Sequence, residues 1–293
     1  MIICFGSLNA DMIFQMDVAP KSGQTLLANS FTLSAGGKGA NQAVAAARLG
    51  GEVAMVGAVG SDALAEVALE HLKGSDCDVS RVAVTERPTG CASVIVDASA
   101  HNSIAVAMGA NELASAASVD EDLLARADVL MMQMESDKGE VEALLKRAKK
   151  AGVKSILNLA PAARIEIEAL KDCGILVVNE DEAAFVADWL GCEASATGIS
   201  RTLGICVIRT LGSDGAEAAE GDKAFKVDAI AVDAKDTTSA GDCFVGALAT
   251  FLDKKLPLKE AMQQASRAAA ICCSRHGSQI SLPWANELAG FVK

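Results

Sequence analysis

A chain of 293 residues in which 51% are hydrophobic is long enough to bury one large core. Its 26 Lys and Arg against 38 Asp and Glu give a formal net charge of -12, which excludes nucleic acid and anionic membranes as expected partners, because both need a basic surface. No apolar run approaches the roughly 18 to 20 residues of a membrane helix, the N-terminus lacks a basic leader, and nine scattered cysteines show no C-x-x-C pair, so a soluble cytoplasmic protein with reduced thiols is expected.

In chain order, Met1 to Phe5 reads as a buried strand, and Gly6 to Asn9 as the turn after it. Met12 to Leu33 reads as strand and hairpin. A helix from Gly39 to Leu49 ends at Gly50-Gly51, and Val53 to Val59 is again a buried strand. Gly90 to Met108 reads as a second hairpin, turning at the polar Ala100-His101-Asn102. Strands at Val129 to Met134, Ser155 to Leu159, Ile175 to Val178 and Cys206 to Arg209 then alternate with helices at Lys138 to Ala151, Glu180 to Leu190 and Gly241 to Leu252. This alternation predicts an α/β fold with a mainly parallel sheet covered on both faces. The hairpins at 12–33 and 90–108 break it, and are expected to form a small β lid on a single domain spanning 1–293.

The richest segment is Asp236-Thr237-Thr238-Ser239-Ala240-Gly241-Asp242, just before an apolar helical pattern. Small residues allow a tight turn, and the first amides of the helix have no internal partner, so they can hold phosphate oxygens. Asp242 at the mouth of such a hole either accepts a proton from an attacking hydroxyl or is a helix N-terminal Asp favoured by the macrodipole. Neither G-x-x-x-x-G-K-[ST] nor G-x-G-x-x-G occurs, so a nucleotide would bind in another way.

Asp-Thr-Thr-x-Ala-Gly-Asp, paired with Gly36-Gly37-Lys38-Gly39-Ala40-Asn41-Gln42-Ala43 about 200 residues earlier, resembles the ribokinase-like (PfkB) family of carbohydrate kinases over nearly the whole chain. The resemblance implies a three-layer αβα fold and transfer of phosphate from ATP to a sugar hydroxyl. Asp242 would be the base, with Ser239, Ala240 and Gly241 forming the anion hole. Asn9 and Asp11 match the N-x-D that binds sugar hydroxyls; an Asx turn at the strand end is the alternative. Gly36, Gly37, Lys38 and Asn41 would contact the sugar, and Glu135 would line its pocket. Asn179 and Glu182 match an N-x-x-E that organises Mg²⁺ and phosphates; an acidic helix start competes. Thr210, Gly212 and Gly215 resemble the loop that holds the nucleotide. Asp236 and Thr238, with Gly277 and Ser281 of the loop 274–281, resemble a monovalent-cation (K⁺) site. Lys235 and Ser239 depart from the usual residues of the motif, and Arg267 falls near the expected adenine contact. Segments 36–50, 157–161 and Pro283-Trp284 look most like family members that act on D-ribose. Another sugar or nucleoside kinase of the family, or a sugar sensor without chemistry, is the alternative. A homodimer through the lid is expected.

Overall fold

The computed structural model describes residues 1–99 and 101–291. Its strands are β1 Ile2–Phe5, β2 Asn9–Gln15, β3 Ser30–Gly36, β4 Val53–Gly60, β5 Asp78–Thr85, β6 Gly90–Val96, β7 Asn102–Ala107, β8 Val129–Met132, β9 Lys154–Asn158, β10 Ile175–Val178, β11 Cys206–Thr210, β12 Ala216–Glu220 and β13 Lys223–Val227. The helices are α1 Lys38–Arg48, α2 Ala63–Lys73, α3 Glu121–Arg126, α4 Lys138–Ala151, α5 Ile167–Leu170, α6 Glu180–Leu190, α7 Ala196–Leu203, α8 Ala240–Asp253, α9 Leu258–Cys273 and α10 Ala285–Gly290.

Nine strands form one sheet in the order β13-β12-β11-β10-β9-β8-β1-β4-β5. All neighbours from β11 to β5 run parallel, whereas β12 and β13 add an antiparallel hairpin at one edge. The central strands carry apolar side chains on both faces, as parallel strands under two helical layers must. In β1, Ile2 and Cys4 point into the layer of α1, α2, α8 and α9, and Ile3 and Phe5 into that of α3 to α7. Fully burying one such large side chain contributes about 1.5–3 kcal/mol. The two layers and the sheet between them are the three-layer α/β fold that the sequence predicts.

A second sheet has the order β3-β2-β6-β7, with β2 antiparallel to β3 and parallel to β6. It starts at Asn9, three residues before the expected stretch, and ends at Gly36 rather than Leu33, so Asn9, Asp11 and Gly36 belong to this sheet itself. The ends of the excursion are fixed by pairing: Asn9 stands opposite both Gly36 and Gly90. Of the polar turn expected at 100–102, Ala100 lies outside the described residues, as do 292 and 293 at the end of the expected domain. Among the described residues, no helix is long and apolar enough to cross a membrane.

Candidate active site

Helices α1 and α8, distant in sequence, cross closely because Gly246 leaves room: a Cβ there would lie 2.4 Å from the Gln42 carbonyl oxygen and 2.8 Å from the Ala45 Cβ. Thr250 Oγ1 fastens the crossing by donating to the Ala46 carbonyl at 3.0 Å. Their first turns therefore meet, with Asp242 at the start of α8 and 7% exposed. Asn41 Nδ2 donates to Asp242 Oδ2 at 2.9 Å, and Gln42 Nε2 to Oδ1 at 3.0 Å. Burial pushes the Asp242 pKa up, while Lys38 and the two amides favour the ionised form.

Ser239, before the helix, is held at φ 60, a left-handed conformation unusual for a residue other than glycine. Its hydroxyl accepts from Asn41 Nδ2 at 3.1 Å and meets Ser278 Oγ at 2.5 Å, which ties the turn down. Ala240 N donates to the Thr237 carbonyl, but the amides of Gly241 and Asp242 have no acceptor among the described residues. A Cβ on Gly241 would meet nothing within 4 Å, so the space before these amides is open.

A cleft of about 140 Å³ opens there, lined by Lys38, Asn179, Glu182, Thr210, Ser239, Gly241 and Asp242 among others. Lys38 is the first residue of α1. Its pKa is raised by Asp242 foremost, against the cost of burial, and further by Glu135, Glu182 and Asp11. Among the described residues no carboxylate forms a salt bridge with it, which leaves its ammonium for an anionic ligand.

Asn179 and Glu182 close a capping box on α6: Glu182 N donates to Asn179 Oδ1 at 2.8 Å and Asn179 N to Glu182 Oε2 at 2.8 Å. Both side chains thus begin a helix and face the cleft. Burial raises the Glu182 pKa, partly offset by the Asn179 amide and Lys38. Thr210 sits beside them at the end of β11. Gly212 and Gly215 differ: a Cβ on Gly212 would meet nothing, whereas one on Gly215 would lie 2.1 Å from the Val227 carbonyl oxygen. Gly215 is required by the packing of its own hairpin.

On the other side, Asp11 projects from β2 over Gly36, where a Cβ would come within 2.1 Å of the carboxylate. The Asp11 carboxylate has no hydrogen-bond partner among the described residues. Burial, then Glu135, raises its pKa to about 6, with Lys38 opposing. Asn9 is buried; its Oδ1 accepts from Asn111 Nδ2 at 2.8 Å. Gly37, at φ 90, brings the backbone against Ser7 and Asn9, where a Cβ would lie 2.8 Å from the Ser7 carbonyl oxygen. Glu135 Oε2 accepts from Ser7 Oγ at 2.6 Å and Lys38 N at 3.1 Å, fixing the start of α1.

Asp236 joins two loops: Oδ1 accepts from Thr238 N and Oδ2 from Gly277 N, both at 2.9 Å. Burial opposes its ionisation, but the hydrogen bonds from Thr238 and Gly277 and the nearby His276 outweigh it and lower its pKa. Ser281 is buried and donates to the Ser278 carbonyl at 2.6 Å. Lys235 is exposed. Arg267 lies elsewhere, in a groove with Phe251 and Lys254 at the C-terminal end of α8, the far end from Asp242. The sequence reading missed Gln42 as a site residue, and it placed Ser278 and Gln279 within the loop of the expected cation site without their contacts to Asn41. Gln42 stands next to Asn41 in the quoted motif, which is the one signal that points to it.

The model of the pfkB family of carbohydrate kinases matches residues 1–285. Ribokinase of Haemophilus influenzae is 36% identical over 98% of this chain and 97% of its own. Deoxyribokinase of Salmonella typhi is 33% identical over 96% of this chain and 95% of its own. The structure of Arabidopsis thaliana ribokinase complexed with ribose and ATP superposes with a TM-score of 0.89 at 30% identity, covering 99% of this chain and 97% of that one. With the fold, the two motifs and the crossing of α1 and α8 in place, the chain belongs to the pfkB family of carbohydrate kinases, enzymes that move a phosphoryl group onto a sugar hydroxyl.

Proposed function

We propose that this chain phosphorylates D-ribose to ribose 5-phosphate with ATP as donor and Asp242 as the base. The observation that carries this reading is the buried Asp242 carboxylate, each oxygen held by one amide, beside backbone amides and a lysine that have no partner among the described residues. The sugar hydroxyl donates to Asp242, and its oxygen attacks the γ-phosphorus while the proton passes to the carboxylate and the bond to the bridging oxygen of ADP breaks. The Gly241 and Asp242 amides and Lys38 face the charge that develops on the transferred group.

Asp11, an acceptor with no partner, supports recognition of adjacent hydroxyls, with Asn9, Asn41, Glu135 and the backbone of Gly36 and Gly37 around it. Asn41 commits both amide hydrogens to Asp242 and Ser239, so its part in sugar binding runs through the base. The second sheet acts as a lid over this pocket. On the other side, Thr210, Gly212 and Gly215 hold the nucleotide.

Glu182 and Asn179 suit Mg²⁺: one carboxylate oxygen of Glu182 is uncommitted among the described residues, and an ion that keeps several of its waters needs few protein ligands. Bound there, Mg²⁺ would neutralise phosphate charge. The all-oxygen set of Asp236, Thr238 and the loop of Gly277 and Ser281 suits K⁺, whose charge would brace the turn under Ser239.

Exposed apolar residues support a homodimer through the lid. Phe31 and Leu33 lie on one face of that sheet and Ile104 and Val106 on the other, by the register of opposed residues. The function is tested by ATP consumption over a panel of ribose, 2-deoxyribose, hexoses, sugar acids and nucleosides. Ribose is expected to have the highest kcat/KM; a tenfold advantage for any other acceptor overturns the substrate assignment.

A further inference from the structure

The pocket of the base continues into a buried chain of amides. Asp242, when ionised, offers only acceptors, so Gln42 must turn its NH₂ toward it. That Nε2 donates at 3.0 Å to Asp242 Oδ1 and at 3.1 Å to Asn158 Oδ1, which uses both of its hydrogens. Gln42 Oε1 then faces away, toward Gln133, and only a donor can satisfy it there. Gln133 Nε2 donates to it at 2.6 Å. Gln133 is fully buried beyond the end of β8, and its Oε1 sits so close over Gly6 that a Cβ there would lie 2.0 Å away. The hydrogen-bond polarity thus runs one way, from Gln133 through Gln42 to the base; turning Gln42 over would set its oxygen against Asp242 Oδ1 and its NH₂ against that of Gln133.

We infer that Gln42 is a positioning residue for the phosphoryl transfer, and that Gln133 sets its orientation, so that the unused face of the Asp242 carboxylate is aimed at the sugar hydroxyl. The inference rests on the reading of Asp242 as the base. Gln42 does not line the cleft at Asp242, so its effect passes through Asp242.

The experiment compares Gln42→Met, Gln133→Met and Asp242→Asn in the full chain, with kcat and KM for ribose and ATP followed from acid to neutral pH and folding followed by thermal melting. A hydrogen bond to a charged group is worth about a 10- to 150-fold change, so Gln42→Met should lower kcat by about 10- to 100-fold with both KM values nearly constant. Losing a donor to the ionised carboxylate also moves the acid limb of kcat to higher pH. Gln133→Met should move both in the same direction, less far, and it carries the test if Gln42→Met does not fold. A purely structural role would lower the melting temperature and leave the acid limb where it was; that result overturns the inference, as does wild-type kcat in Gln42→Met. If Asp242→Asn retains wild-type turnover, the assignment of the base fails first, and the inference falls with it.

Discussion

At the scale of single residues, Asp11 shows how a site holds a group at a cost to stability. Its folded pKa of about 6 lies above the ordinary value of 3.8, so between those two pH values the folded state binds more protons than the unfolded one. Stability therefore falls as pH rises through that window, and the loss persists above it. Asp11→Asn should raise the melting temperature at pH 7 to 8 and change it little at pH 4, a gain on the order of 1–2 kcal/mol after allowing for partial exposure. Asp11→Ala should lower kcat/KM for ribose by about 10- to 150-fold, from one lost hydrogen bond to a charged group, while the KM for ATP stays put. A lost affinity for ATP with ribose unaffected would reverse the two halves of the pocket. Asp242 and Asp11 were legible in the sequence because each stands in a short motif after a strand or before a helix. Gln42 and Gln133 were not, because what gives them meaning is a partner remote in the chain: Gln42 meets Asp242 across 200 positions and Gln133 across 91. Gly212 and Gly215 look alike in sequence, and what tells them apart is the Val227–Ala229 backbone that crowds Gly215.

At the scale of elements, the reading recovered those with strong periodicity: α4 and α6 have the expected bounds, Lys138–Ala151 and Glu180–Leu190. Each ends in a left-handed glycine, Gly152 and Gly191. Helix α2 is absent from the expected set although Asp62 caps it with bonds from Leu64 N and Ala65 N. The β12–β13 hairpin had no usable signal, since Ala216–Glu220 has low strand propensity and is held in the sheet by pairing with β11. The expected strand from Val129 to Met134 stops at Met132, which frees Gln133 to turn inward and Glu135 to reach α1. The turn before α8 carries the prediction at this scale. Asp236 ties it to the loop of Gly277, and Ser239 beside it is in a left-handed conformation, so an ion bound among those oxygens would set the shape of the hole. Rates at fixed ionic strength should be higher in K⁺ than in Na⁺, mainly through kcat, and Asp236→Ala should abolish the difference. Equal rates in K⁺, Na⁺ and a bulky organic cation would remove the site.

For the whole molecule, the proposed function would divide the work between two bodies: the large sheet with its helices carries Asp242 on α8 and Thr210 at the end of β11, and the small sheet carries Asp11. The small sheet leaves Phe31 56% and Ile104 56% exposed on opposite faces, too much apolar surface for a lone lid that closes over one sugar. A dimer is expected by sedimentation at micromolar concentration, and replacing Phe31 with a charged residue should yield monomers; a wild-type monomer would refute pairing through this surface. Both excursions meet at a single rung at the base of the small sheet, Asn9 between Gly36 and Gly90, with Thr89 fastened just outside by Asp62. In the proposed lid that rung would serve as a fulcrum, and leverage follows from it. At about 3.3 Å per residue, Asp11 lies roughly 7 Å out and Gln15 roughly 20 Å out, so a swing of about 10° would carry the tip some ~3.5 Å and Asp11 only ~1 Å. A lid hinged there would nearly set its grip on a sugar before the cover came down, and the long arm beyond it would move like the blade of a pair of shears whose cutting point lies close to the pin.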